Sequence, residues 1–136
     1  MPLVCDVPHN IVLKEEVGNV HRKGATPAHE NQALLIPGSM GDDSYLLYGL
    51  GNADWVSSAS HGAGRSVSRT EMTWKAKQNN TLSPSREFEC ITLKEERLIE
   101  EAPSAYKPIG PVIQSQVQEG MVKPIARMRP ILTFKA

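Results

Sequence analysis

The sequence is poor in several features that would have pointed elsewhere. Only two of its 136 residues are cysteine, Cys5 and Cys90, far apart and with no secretory signal ahead of them. That is too few for a disulfide-stapled scaffold, and a reduced, cytoplasmic pair of thiols is expected. Aromatics are scarce: two Trp, three Tyr and two Phe. They make a thin core and exclude a base-stacking platform of the kind that holds single-stranded nucleic acid. Net charge is missing as well, with fifteen Lys plus Arg against fifteen Asp plus Glu. The balance rules out the strongly basic footprint of a nucleic-acid-coating protein, though not a local basic patch. No apolar run approaches the roughly 20 residues needed to span a bilayer, so no membrane partner is expected. Internal repeats and low-complexity segments are also lacking.

What is present is ordinary globular material, 40% hydrophobic and 22% charged, with a length that suits one domain over residues 1–136. Ten glycines and ten prolines are spread along the chain instead of gathering into a linker. Met1 is followed at once by Pro-Leu-Val-Cys-Asp-Val, and Leu3–Val7 reads as a buried strand whose partners should lie earlier, as if the chain were cut from something larger. A short polar helix is expected over Ile11–Glu16, a turn at Gly18-Asn19, a basic loop over His21–Gly24 and further loop over residues 26–32. Strands are expected at Ala33–Ile36, Ser44–Tyr48, Trp55–Ser60, Phe88–Leu93, Val122–Arg127 and Ile131–Phe134. Helices are expected over Ser66–Lys77, Lys94–Glu101 and Val112–Gln118, the last with Gly120 as its C-cap. The fold class that follows is α+β, a mixed sheet with short helices.

Four loops concentrate Gly, Ser, His, Arg and Lys: His21–Thr26, Pro37–Ser44, His61–Arg69 and Ala102–Lys107. Gly-rich turns at strand ends expose backbone N–H groups to phosphate oxygens, because no Cβ blocks the approach. His61-Gly62-Ala63-Gly64-Arg65 has this form, with a strand before it and a helix expected after it. A Gly-x-Gly turn alone is more often only a tight turn; the preceding His and the following Arg65 and Arg69 lift this one toward phosphate binding. Four histidines, His9, His21, His29 and His61, show no compact metal spacing, and His29 is taken as structural. Cys5 and Cys90 read as small buried hydrophobes, the charges of Arg86–Glu101 as a solvated face, and Asp42 and Asp43 as turn residues.

Six stretches occur in one order: Cys5-Asp-Val-Pro-His9-Asn10-Ile, His21-Arg-Lys-Gly-Ala-Thr26, Ile36-Pro-Gly-Ser39-Met-Gly41, Ser58-Ala-Ser-His61-Gly-Ala-Gly-Arg65 with Ser68-Arg69, Glu101-Ala-Pro-Ser-Ala-Tyr106-Lys107, and Arg127-Met-Arg-Pro130. Together they closely resemble the C-terminal part of the RtcB family of GTP-dependent RNA ligases, which act in tRNA splicing and RNA repair. The resemblance implies a cycle in which a histidine is guanylylated by GTP with manganese assistance. GMP then passes to an RNA 3′-phosphate, formed if needed from a 2′,3′-cyclic phosphate, and a 5′-hydroxyl displaces it to seal the strand. It implies that His61 is the guanylylated residue and His9 a manganese ligand. It places Ser39, Ser44, Ala63, Gly64, Tyr106 and Lys135 around the nucleotide, Lys135 only if the tail docks back. It puts Arg22, Lys23, Arg65 and Arg69 in the phosphate environment. GTP, manganese and RNA ends are the implied ligands, with a complementary N-terminal ligase half and an archease-type activator as implied partners.

The departures from the family pattern set a further expectation. The remaining manganese ligands and two further nucleotide contacts of the family lie in a longer N-terminal portion, and Cys5 does not sit in the family's ligand-cysteine motif. The chain is therefore expected to be a C-terminal fragment or the downstream half of a split ligase. The alternative is a catalytically inactive remnant that binds nucleotide or RNA phosphate.

Overall fold

A computed structural model describes Asp6, Pro8, residues 10–79 and residues 89–135. The strand expected over Leu3–Val7 therefore falls, but for Asp6, outside the described residues, as do Cys5 and His9.

The chain folds as α+β. A hairpin comes first, β1 (Asn10–Glu15) paired antiparallel with β2 (Gly18–Lys23), Glu15 opposite Gly18. The helix expected over Ile11–Glu16 is thus a strand, and the basic loop over His21–Gly24 is mostly its partner. The physical reason is the alternation of burial along β1: Ile11, Leu13 and Glu15 turn inward while Asn10, Val12 and Lys14 face out. Gly18, at φ 117°, follows the two-residue connection Glu16-Val17 in a conformation glycine reaches without strain.

β3 (Ala25–Pro27), within a stretch expected to be loop, pairs antiparallel with β6 (Ser58–Ser60). The expected strand Trp55–Ser60 starts late. Asn52 accepts a hydrogen bond from the Asp54 N–H and caps a single helical turn at Ala53–Trp55, and Val56 and Ser57 then take left-handed backbone angles before the strand begins.

β4 (Ala33–Ile36), β5 (Ser44–Gly49) and β8 (Val122–Met128) form an antiparallel sheet in that order. Pairing shifts between Leu46, opposite Ala126, and Leu47, opposite Pro124, so Ile125 is the extra residue of a bulge. Pro124 lacks an N–H to give to a ladder, and an edge strand at a bulge is where it is tolerated. Gly49 ends β5 wedged against the Ala28 and His29 backbone; a Cβ there would lie 2.3 Å from the Ala28 carbonyl carbon.

α1 (Arg69–Gln78), α2 (Glu96–Glu100) and α3 (Ile109–Gln118) are short, as expected. α3 begins earlier than its apolar periodicity suggested, directly after Pro108. It ends as a Schellman motif: Gly120 N–H donates to Val117 O, Met121 N–H to Gln116 O, and Gly120 takes φ 62° one residue past the cap. β7 (Glu89–Thr92) and β9 (Leu132–Lys135) pair in parallel.

The core lies where α3 meets the β4–β5–β8 sheet and β6. Leu34, Ile36, Leu47, Ala59, Ile109, Ile113 and Val122 are buried in one cluster, with Tyr45, Val112 and Met121 packed on it. Burying each Leu, Ile or Val side chain of this cluster contributes about 1.5–3 kcal/mol. No helix among the described residues is long and apolar enough to cross a membrane.

Candidate functional site

Backbone hydrogen bonds tie three of the four loops singled out by composition into one region, and the fourth packs beside them. His61 follows β6 directly, and its N–H donates to Gly24 O at 3.3 Å, joining the His61 loop to the His21–Thr26 segment. Ser60 anchors the exit: its N–H donates to Gln116 Oε1 on α3 (2.7 Å), and its hydroxyl donates to Gly62 O (2.6 Å). Farther along, Lys107 N–H donates to Gly64 O (3.0 Å), and Ser66 and Val67 N–H both donate to Ala105 O. Arg65 and Tyr106 face each other in an isolated antiparallel bridge. Gly64 stands at φ 73°, the left-handed value that lets the chain turn into this bridge.

The Pro37–Ser44 turn completes the set. A Cβ on Gly62 would sit 3.5 Å from Pro37 O, and Asp42 Oδ2 accepts from the Ile109 N–H at 3.4 Å. Gly38 is required there, because a Cβ would lie 2.3 Å from Asp43 O.

One local expectation changes. The glycines of the His61 loop do not open a helix. α1 starts only at Arg69, and its N-terminus is already served by Ser68, whose hydroxyl accepts from the Glu71 N–H.

The cationic groups divide into two kinds. Arg22 is 2% exposed, and its guanidinium donates to both carboxylate oxygens of Glu15 (2.5 and 3.0 Å), to Ser58 Oγ and to Val56 O. It sits under the β1–β2 hairpin as a structural fork, whereas neighbouring Lys23 is exposed. Arg65 is similarly committed, donating to Val67 O, Glu101, Tyr106 Oη and Glu100 O. Arg69 pairs with Glu101 at 3.0 Å, but its side chain is 60% exposed, the open end of the group. The Glu101 hydrogen bond holds the Arg69 guanidinium above its already high ordinary value, so it stays charged.

Burial first, then the Glu101 hydrogen bond, raises the Tyr106 phenol above the ordinary tyrosine value. Its hydroxyl donates to Glu101 Oε2. The folded state holds this proton more tightly than the unfolded chain. The associated stabilisation is full below about pH 10, the unfolded tyrosine value, and is lost as pH rises through the raised folded one. Alkaline titration of tyrosinate absorbance should show a late component that Tyr106→Phe removes. A wild-type curve without that component would contradict the placement.

Beside this cluster lies a cavity of about 1450 Å³, with Ser39, Met40, Cys90, Tyr106, Lys107 and Arg129 in its wall. Ser39 and Tyr106, both expected near a nucleotide, are thus brought together. His61, Ser44, Ala63 and Gly64 lie outside that wall. His61 is half-buried at the loop junction, Ser44 opens β5 opposite Met128, and the Ala63 methyl belongs to the core. Lys135 stands opposite Thr92 in the β7–β9 pair, so the tail is tied into a sheet. Among the described residues no group of three His, Cys, Asp or Glu side chains could hold a metal ion. They do not on their own fit a manganese site, and His9 is outside them.

Three acidic residues matter more than their sequence context suggested. Glu101 closes a charge run read as a solvated face, yet it is 6% exposed and gathers Arg65, Arg69 and Tyr106. Its place in the Glu101–Lys107 motif was the available signal. Asp43, read as a turn residue, is buried and pairs with Arg127 across the β5–β8 edge. Glu15 is the partner of Arg22, and nothing local in the sequence announces that pairing. Cys90 is half-buried, its thiol 3.6 Å from Met40 Sδ.

The family described as tRNA-splicing ligase RtcB matches residues 1–136. The RNA-splicing ligase RtcB2 of Escherichia coli is 40% identical over 140 residues, which cover 97% of this chain and 37% of that protein. The tRNA-splicing ligase RtcB of Methanocaldococcus jannaschii is 36% identical across 99% of this chain and 16% of its own length. That of Pyrococcus horikoshii is 38% identical across 96% of this chain and 18% of its own length. The chain thus spans little more than a third, or less, of the length of these relatives. With its motifs in family order and the loops that carry them tied into one region, the chain belongs to the RtcB family of tRNA-splicing ligases.

Proposed function

We propose that this chain carries the nucleophile-bearing portion of an RNA ligase that joins an RNA 3′-phosphate, or a 2′,3′-cyclic phosphate after opening, to a 5′-hydroxyl. A nitrogen of the His61 imidazole attacks the α-phosphorus of GTP and pyrophosphate leaves. The resulting phosphoramidate hands GMP to the RNA 3′-phosphate, and the 5′-hydroxyl oxygen then attacks the activated phosphorus and releases GMP. Imidazole suits both halves, being a competent neutral nucleophile near pH 7 and a good leaving group from phosphorus.

The observation that carries this reading is the position of His61. It lies at the end of β6, between the Gly24 carbonyl and the Gly64–Lys107 hydrogen bond, where four motif-bearing loops meet. Arg69, largely exposed beside this loop, is a cation open to a phosphate, while Ser39 offers a hydroxyl and Tyr106 forms wall in the adjoining cavity.

Manganese belongs to the same reading, with His9 as one ligand and the others supplied by a complementary N-terminal half. The setting is cytoplasmic, and an archease-type activator is a fitting partner. The test is to join the chain to the N-terminal portion of its Escherichia coli relative and incubate it with manganese and α-labelled GTP. A covalent GMP adduct and sealing of 3′-phosphate to 5′-hydroxyl RNA are expected. Nucleotide binding with neither adduct nor sealing would favour the inactive-remnant reading.

A further inference from the structure

Glu101 joins the three groups that flank the His61 loop and the neighbouring cavity. Its carboxylate is 8% exposed and sits between α2 and the Pro103–Ala105 turn. Oε1 accepts from Arg65 Nη1 at 3.3 Å and from Arg69 Nε and Nη2 at 3.0 Å, while Oε2 accepts from the Tyr106 hydroxyl. Arg65 closes the unit from the other side. Its Nη1 also donates to Tyr106 Oη at 3.2 Å, and its Cζ stands 4.9 Å from the centre of the Tyr106 ring. Arg65 Nη2 and Nε reach the Glu100 and Val67 carbonyls, at 2.6 and 3.0 Å. Arg65 therefore has little left to offer an incoming phosphate, whereas Arg69 pairs, among the described residues, with Glu101 and is mostly exposed.

We infer that Glu101 is a positioning residue of the nucleotide site: through one buried carboxylate it fixes the Tyr106 phenol at the cavity wall and aims Arg69 at the nucleotide phosphates, with Arg65 as the internal strut. This assigns different work to two arginines that look alike in sequence. It rests on the proposed guanylylation, and it makes a claim about linkage that can be read without it.

The test uses Glu101→Gln, which keeps shape and removes the charge. Two readouts are needed. In the 136-residue chain, the Tyr106 component of the alkaline titration, isolated by difference against Tyr106→Phe, should move to lower pH, because the carboxylate no longer opposes phenolate formation. In the chain joined to the N-terminal portion of the Escherichia coli relative, the KM for GTP in adduct formation should rise about tenfold or more. The rate at saturating GTP should change much less, the pattern of lost charge-assisted positioning. Glu101→Asp, with its charge one methylene short, should fall between the two, and it replaces Glu101→Gln with the same readouts if that variant does not fold.

An unmoved Tyr106 titration in a folded variant overturns the linkage. A shifted titration with an unchanged KM overturns the positioning role. Absence of any adduct from the parent protein counts against the guanylylation itself, and the titration still decides whether Glu101 holds Tyr106.

Discussion

Replacing His61 with alanine is expected to abolish the covalent GMP adduct in the chain joined to an N-terminal ligase portion. The side chain is itself the nucleophile in the proposed reaction, so its loss removes the bond-forming atom and not merely a contact. His61 is half-buried outside the main core cluster, and the backbone hydrogen bond from its N–H to Gly24 O does not depend on the imidazole. The loss of the labelled adduct is read on protein whose cooperative unfolding transition shows that it is folded. His9→Ala should behave differently, slowing guanylylation and weakening its manganese dependence, as expected from lost metal orientation. An adduct of undiminished yield on His61→Ala would remove the assignment. The search would then move to His21, on β2 with its Nε2 2.7 Å from Asn10 Oδ1.

The second large effect concerns stability. Arg22→Ala should destabilise the chain by about 3–5 kcal/mol, the range for breaking a buried ion pair from one side. The lower part of that range is favoured, because Glu15 keeps some solvent (12% of its side chain) and the His29 imidazole at 3.2 Å. Arg22→Lys should recover little of the loss. An ammonium cannot reproduce the two parallel bonds to Glu15 while also reaching Ser58 Oγ and Val56 O. The same pair predicts acid sensitivity. The Arg22 hydrogen bond holds the Glu15 carboxyl below its ordinary value, so its stabilisation is full above the unfolded carboxyl value, about pH 4.3, and is lost as pH falls through the lowered folded one. Denaturant unfolding at neutral and acid pH checks both statements. A change below about 1 kcal/mol in Arg22→Ala, the range of an exposed pair, together with weakened phosphate binding, would return Arg22 to the phosphate environment implied by family resemblance.

These two residues also show what was legible in the sequence. The strands at Ala33–Ile36 and Ser44–Gly49 could be read because their apolar residues are compact and bounded by Pro37-Gly38 and Gly49. The end of α3 could be read because Gly120 has one physical reason to be there, a left-handed residue past a helix. The first hairpin is not legible locally, because Lys14, Glu15 and Glu16 are good helix formers. What overrides them is pairing with β2 and the inward turn of Ile11 and Leu13, both decided outside the segment.

The motif-bearing loops could be picked out in the sequence, since turn chemistry and motif order are local properties, and the fold brings them together. The partners of the charges could not be read in the same way. Arg22 meets Glu15 across a hairpin, Arg65 meets Glu101 across 36 positions, and Asp43 meets Arg127 across 84. An arginine near glycines has the same sequence appearance whether it faces phosphate or a buried carboxylate. Only the topology that carries Glu101 beneath the His61 loop separates the two.

Whether His61 becomes the guanylylated residue is decided by forming the adduct with GTP and manganese, digesting it under mildly alkaline conditions that spare phosphoramidates, and locating GMP by tandem mass spectrometry. GMP is expected on the imidazole of His61, within the Ser58–Arg65 segment. GMP on a lysine, or on any other histidine, with His61 unmodified, would contradict the assignment.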